Sequence, residues 1–534
     1  MKIDTLVLTN ARFYTFNPDQ PIVESLIIQG RKIIAAGCAN EIPLDLFPDA
    51  RISDLNGMTV LPSFTDSHIH LLEYGLSLRR VPCETATMQE CLQRVCKRVE
   101  KTAPGKWVLG HGWNHNIWTD GLPEKLLLDG FSQNNPVYLT HKSLHSGWAN
   151  SAALKAAGIS RNSPDPQDGR IGRNVDGEPN GLVYESAMRL VESSIPKPDE
   201  SEREAALIAA QTELQRFGIS CVHDFDKWDC YETLARMEKD ESLKLRVVKN
   251  IPFTNLTQAI ETGIKSGQGS DLLSFGWLKL FADGALGPQT AAMLSPFTGS
   301  GSDGMLFIDE EMLIEIGQKA LPAGLSLAVH AIGDRANREV LNGYTQLQKD
   351  GFLHIPSLKP RIEHVQLIHP DDIPRFAQNG VIASMQPIHA VSDRDMADRY
   401  WGSRCEYAYA WNSIINSGAD LIFGSDAPVE SPNPFWGLFS SVSRSSVGLD
   451  APRPAWTPHQ RIKLHDALKA YITRPPLYAN PFVKAGKLQP GYSADLIVLQ
   501  NDLFEIPEEQ IASILPAATM VNGEWVYLSS FEIQ

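Results

Sequence analysis

Two histidines stand two residues apart in LPSFTDSHIH, His68 and His70. At the end of an extended strand that spacing turns both imidazoles to one face, the arrangement of a pair of metal ligands. An HxH pair alone carries little weight, because chance and polar packing also produce it. Three further residues of suitable type each close a different apolar run: His330 in SLAVHAIGD, His364 in RIEHVQ and Asp426 in FGSDAP. Imidazole nitrogen and carboxylate oxygen together are the donor set of zinc and related divalent ions. Strands that carry ligands at their ends must converge on one place.

Eight apolar runs are available to do this: VLPSFTDSHIH, GISCVHDF, LKLRVVKNI, WLKLFADGAL, LSLAVHAIGD, RIEHVQLI, VIASMQPIHA and DLIFGSDAPV. Helix-like stretches separate most of them, such as SEREAALIAAQTELQRF and DEEMLIEIGQKALPA, so the pattern is that of alternating β/α units. Eight such units predict an α/β protein built on a (β/α)8 TIM-type barrel over residues 59–479, with its site at the C-terminal ends of the strands. The first two runs are separated by residues 75–201, far more than a βα connection needs, so an inserted subdomain is expected there. It carries strand candidates in KWVLGHGWN and NPVYLTHKSLH, and SPDPQDGRIGRNVDGEPNG reads as a turn-rich lid or rim that would hang over the barrel mouth. LIIQGRKIIAAG reads as a hairpin turning at Gly30, and ATMVNGEWVY as one turning at Asn522-Gly523. Residues 1–58 and 480–534 are therefore expected to form one composite β-sandwich module.

The 534 residues are 43% hydrophobic and 21% charged, the balance of a globular protein able to bury its own core. A net charge of −15 argues against nucleic acid and anionic membrane as partners and leaves a small molecule. No stretch reaches transmembrane length, and Asp4 and Asn10 interrupt the N-terminus before any signal-like apolar run. Seven scattered cysteines without a CxxC pair fit no disulfide framework or zinc ribbon, and the expected compartment is the cytoplasm.

The chain resembles the amidohydrolase superfamily, and within it the amidohydrolase 3 group that includes N-substituted formamide deformylase. The likeness runs along nearly the whole sequence and is carried by LPSFTDSHIHLLEYG, LHSGWANSAALKAAGI, DGEPNGLVYESA, LKLFADGALGPQTAA, HAIGDRAN, RIEHVQLI, SMQPIHAVSD, FGSDAPV and PGYSADLIVL. The resemblance implies that His68 and His70 bind a first ion, His330 and His364 a second, and Asp426 the first ion together with the attacking water. It makes Lys279, carboxylated by carbon dioxide, the bridge between them; the alternative is a barrel lysine that hydrogen-bonds the site without bridging. The cofactor is then zinc or a related divalent metal, one or two ions per subunit, and the reaction is hydrolysis of a C–N bond in a small amide with Asp426 moving the proton. Barrel enzymes of this type are often dimers, so a homodimer is expected.

Asp334, Arg335 and Glu363 adjoin proposed ligands in sequence and are candidates for orienting imidazoles or substrate. Asp283 is a candidate ligand or a residue of the loop after its strand. His145 and His389 match family motifs and are expected to face the substrate, while His223 reads equally as barrel packing or pocket lining. His111, Trp113 and Trp118 are candidates for a pocket wall or for a small core of the insertion. The family often has Ser-Arg after DGALG; Pro288-Gln289 stands here, which removes a cation for an anionic substrate. Two other functions remain in view: deamination of a cyclic amidine, and a regulatory protein that keeps the fold without the chemistry.

Overall fold

Long apolar runs become strands buried on both faces, and eight of them lie side by side in parallel. The computed structural model describes residues 5–38, 47–115, 118, 121–142, 145–355, 357–447, 453–479 and 483–529. The barrel strands are Phe64–Ile69, Ile219–Asp224, Arg246–Pro252, Leu273–Phe281, Leu327–Ala331, Arg361–His364, Ile382–Met385 and Leu421–Phe423. They are hydrogen-bonded in chain order, each to the next. All six residues of Phe64–Ile69 and all six of Ile219–Asp224 are buried, as a parallel sheet covered on both sides requires. Each of the eight apolar runs read from the sequence supplies one of these strands.

The ring closes just beyond the strands themselves. The amide of Asp426 donates to the carbonyl of His68 at 2.7 Å, and the amide of His70 donates to that of Ala427 at 2.9 Å. Gly424 permits this approach: a Cβ there would meet the His68 nitrogen at 2.4 Å. The closure thus runs through the same short segments that carry three of the predicted ligands.

Both chain ends contribute to the β-sandwich module, whose eight strands form one hydrogen-bonded set. From one edge they run Glu524–Leu528, Ala518–Val521, Leu496–Leu499, Arg51–Pro62, Thr5–Tyr14, Ser25–Gln29 and Lys32–Gly37, with Ile22–Val23 paired to Thr5–Tyr14. Arg51–Pro62 extends past the expected boundary at residue 58 and leaves only Ser63 before the first barrel strand. The opposite boundary, at 480, lies outside the described residues. Asn522 and Gly523 both have positive φ, as a type I′ turn needs. The buried Arg246, first residue of the third barrel strand, donates to Asp495 at 2.9 and 3.2 Å and also to Asp271 and Asn522. One guanidinium thereby ties the barrel to the C-terminal strands.

The chain divides into two compact units, Met1–Gly75 with Glu204–Gln534, and Leu76–Arg203. The second is built on a six-stranded mixed sheet ordered Gly169–Arg173, Pro179–Glu185, Ser146–Ala149, Val137–His141, Val108–Trp113 and Val81–Pro82. The segment read as a turn-rich lid or rim forms an antiparallel hairpin, Gly169–Arg173 against Pro179–Glu185. Its Gly, Pro and Asp residues fall largely around the strands and in the turn, where they mask the short alternating stretches between them. Among the described residues, no helix is long and apolar enough to cross a membrane.

Candidate metal centre

The C-terminal strand ends bring imidazoles and carboxylates together in two overlapping groups, each sharing Asp426. One is His68, His70 and Asp426; the other is His364, His389 and Asp426; in each, one ligand atom per residue lies within 4.8 Å of the others. The Nε2 atoms of His68 and His70 both stand 3.5 Å from Oδ1 of Asp426. Donors about 2.0–2.2 Å from a tetrahedral zinc ion lie ~3.3 Å from one another, so this trio is spaced to share an ion.

Each of the four predicted histidine ligands has a nitrogen near a protein acceptor. His68 Nδ1 lies 2.6 Å from Glu363 Oε2, His70 Nδ1 3.3 Å from Asp226 Oδ1, and His364 Nδ1 2.8 Å from Gln386 Oε1. His330 reverses the pattern, with Nε2 2.9 Å from the Gly284 carbonyl. A proton held on the nitrogen facing its acceptor leaves the other nitrogen with a lone pair for an ion. Burial lowers the pKa of His68 and His364 well below the usual value and that of His330 to about 3, so the three rings are neutral, the ligand form. His70, more open, is instead raised: burial opposes this, but Asp226 and Asp426 outweigh it.

Lys279, on the fourth strand, is 5% exposed, and its Nζ has no hydrogen-bond partner among the described residues. It lies 4.6 Å from the Phe225 ring centre and 4.9 Å from that of Phe281. Burial pulls its pKa down to about 8. His389 Nε2 also lacks a hydrogen-bond partner and faces Asp426 Oδ2 at 3.8 Å. Buried polar atoms without partners are costly, so His389 Nε2 beside that carboxylate, with Lys279 Nζ also unpartnered, fits a site completed by an ion. An ion there would be held by His68, His70 and Asp426, and a second by histidines drawn from His330, His364 and His389, beside Lys279.

His364 and Asp426 both have positive φ, 75° and 61°, a conformation that costs a non-glycine residue about 1–3 kcal/mol and that clusters at functional sites. His330 belongs to neither three-residue group, although its ring centre is 4.6 Å from that of His364. His389, read from the sequence as substrate-facing, takes the position beside His364 and Asp426.

The other predicted residues separate by role. Glu363 holds His68, and its carboxylate is gripped in turn by the buried Arg361, whose Nη2 donates to Oε2 at 2.9 Å and to the Ser384 hydroxyl at 2.7 Å. Arg361 also donates to His223 Nδ1 at 2.9 Å, which makes His223 an interior barrel residue. Asp283 accepts from the amides of Ala292, Ile332 and Gly333 at 2.9, 3.0 and 2.8 Å and fixes the loops beside His330. Asp334 accepts from the amide of Leu294 at 2.8 Å and has the same kind of part. Arg335 points away to Asp303 at 3.8 Å. In the second unit, His145 pairs with Glu185 at 3.0 Å. Trp113 is 1% exposed and donates to the Leu139 carbonyl at 2.9 Å, packed with Trp118 and Trp148; it is core, which corrects the pocket-wall reading. The sequence reading missed Arg361, Asp66, Asp224, Asp226 and Lys249. For Arg361, Asp224 and Asp226 the available signal was charge within three residues of a barrel histidine, in CVHDFD and RIEH.

A closed parallel barrel with this donor set at its C-terminal mouth defines the class of metal-binding barrel proteins. Within that class the chain belongs to the amidohydrolase family, whose profile matches residues 51–527. It is 30% identical over 539 residues to Protein LONG AFTER FAR-RED 3 of Arabidopsis thaliana, covering 98% of this chain and 91% of that one. Identity to the N-substituted formamide deformylase of Arthrobacter pascens is 24% over 543 residues, 97% of each chain. The structure is similar to that of an uncharacterized metal-dependent hydrolase from Pyrococcus horikoshii OT3, with a TM-score of 0.78, 26% identity, and coverage of 95% of this chain and 99% of that one.

Proposed function

We propose that the protein hydrolyses a carbon–nitrogen bond in a small amide, an N-substituted formamide or a related acyl amide, using one or two zinc-type ions. The observation that carries this reading is the position of Asp426. Its Oδ1 faces Nε2 of both His68 and His70 at 3.5 Å, and its Oδ2 faces Nε2 of His389 at 3.8 Å. A divalent ion in such a site lowers the pKa of water toward neutrality and polarises a substrate carbonyl.

The chain's own residues supply the rest. Asp426 accepts the proton that water loses and returns it to the leaving nitrogen, which must depart as an amine because an amide anion leaves poorly. Burial raises the Asp426 carboxyl, which strengthens it as a proton acceptor. Arg361 and Glu363 hold His68 in one tautomer, and Gln386 does so for His364. Lys279 is read as the carboxylated bridge: its neutral amine adds to the carbon of carbon dioxide, loses one proton and becomes an anionic carbamate. A pKa near 8 supports a reactive neutral fraction. The substrate class is supported by the relative named N-substituted formamide deformylase.

The test is a hydrolysis screen over N-substituted formamides, acyl amino acids, cyclic amides and esters, with protein of measured metal content. Formate release from a formamide, abolished by chelation and restored by Zn²⁺, Mn²⁺ or Co²⁺, is the expected result. Fully metal-loaded protein that cleaves none of these compounds, or metal-free protein that keeps full activity, overturns the reading.

A further inference from the structure

The tripeptide Asp224-Phe225-Asp226, at the end of the second barrel strand, touches the HxH pair from below. The amide of Phe225 donates to the carbonyl of Ile69 at 2.9 Å, and its ring stacks on His68 with centres 3.9 Å apart. The flanking carboxylates, Asp224 and Asp226, turn to the helix Leu71–Leu78, which begins directly after His70. Asp224 Oδ1 accepts from the amide of Leu71 at 2.9 Å. Asp226 Oδ2 accepts from Leu72 at 2.5 Å and from Glu73 at 3.3 Å. Three of the amides that a helix leaves unpaired at its start are thus satisfied by two buried acids.

Asp226 uses its other oxygen differently. Oδ1 lies 3.3 Å from Nδ1 of His70. His68 is clamped by Glu363 and by the Phe225 ring, whereas the His70 side chain is 32% exposed and Asp226 is the acceptor at its Nδ1. The cluster Asp224, Asp226 and Cys230 has the donor types of a cation site, but Lys249 fills that place: its Nζ is 2.7 Å from Asp224 Oδ2 and also contacts the Asp226 carbonyl. Asp226 is therefore left to serve His70 and the helix together.

We infer that Asp226 is a positioning residue that links His70 to the first turn of the helix Leu71–Leu78, so that holding an ion at His70 and ordering that turn are one coupled equilibrium. The inference rests on the metal-centre reading but not on the amide substrate. With an ion held by His70 the ring would be fixed, the ring would fix the Asp226 carboxylate, and the carboxylate the amides of Leu72 and Glu73. Linkage makes the effect reciprocal: loosening the turn must weaken ion binding by the same factor.

The experiment measures zinc affinity by chelator competition and hydrogen exchange of the amides of residues 71–73, in the full chain with and without zinc. In the natural protein, removing zinc should speed exchange at Leu72 and Glu73 more than in the helix Asp334–Lys349. Asp226→Asn should weaken zinc binding by about 10–100-fold and abolish the response of those two amides to zinc. Asp226→Glu keeps the acceptor and should fall between the two, which provides a folded variant if the asparagine form is unstable. Zinc affinity unchanged in both variants overturns the inference, as does exchange at Leu72 and Glu73 that ignores zinc in the natural protein. Failure of every amide in the hydrolysis screen leaves these measurements unaffected, so the two readings fail separately.

Discussion

Asp66 of the first barrel strand and Ser425 at the end of the eighth are joined by two hydrogen bonds, from the Ser425 hydroxyl to Oδ2 at 2.5 Å and from its amide to Oδ1 at 3.0 Å. The same Oδ1 accepts from the amide of His68 at 3.1 Å. One buried carboxylate therefore helps close the ring and holds the backbone of His68, a proposed ligand. In Asp66→Ala, these buried donors lose their acceptor, at about 1–3 kcal/mol each. The expected result is a lower unfolding midpoint and weaker zinc binding, read by denaturant titration and chelator competition. A variant as stable as the natural protein would show that the closure does not depend on Asp66.

Glu363 separates the guanidinium of Arg361 from the imidazole of His68. Glu363→Gln leaves Arg361 buried without a countercharge, which should destabilise the fold by about 3–5 kcal/mol. The ligand loses its anchor as well, so zinc affinity should fall about 10–100-fold. Denaturation of the metal-free and zinc-loaded forms separates the two effects. An unchanged zinc affinity would remove Glu363 from the metal site.

Lys279 is tested by removing it and then supplying what it is proposed to become. Lys279→Ala should lose metal, and bicarbonate or short carboxylic acids should restore part of the metal content and the rate. Metal analysis and kinetics on one preparation give the answer. Natural metal content and rate in the variant would make Lys279 a structural residue.

Asp426→Asn keeps the shape and one oxygen donor but cannot take the proton. The rate on any amide found in the screen should fall by about 10² to 10⁴, with a much smaller loss of metal. A metal-loaded variant within a few-fold of the natural rate would assign the proton to His389.

The barrel was legible because burial on both faces sets each parallel strand in a largely apolar stretch, and eight such stretches can be counted. The grouping of His68, His70 and Asp426 was legible because all three fall at strand ends, which the barrel brings together. The pairing of His364 with His389 was not, since His389 lies on a helix, Pro387–Ser392, beyond the end of its strand and is brought in by the turn between them. Nor were the left-handed backbones of His364 and Asp426, which no residue type announces. Trp113 showed the opposite failure: an aromatic residue among histidines suits a pocket and a core equally, and only burial distinguishes them. The hairpin of the second unit was hidden because its turn residues outnumber the alternating ones.

The Arg246 tie between the third barrel strand and the C-terminal segment affects the order in which the protein can be made. Its partners Asp495 and Asn522 follow the arginine by 249 and 276 positions and so are synthesised well after it. Until they arrive, the cation at the start of the third strand has Asp271 alone of its three partners. A chain released before Asp495 would carry every proposed metal ligand and still lack one of the two carboxylates that this guanidinium meets.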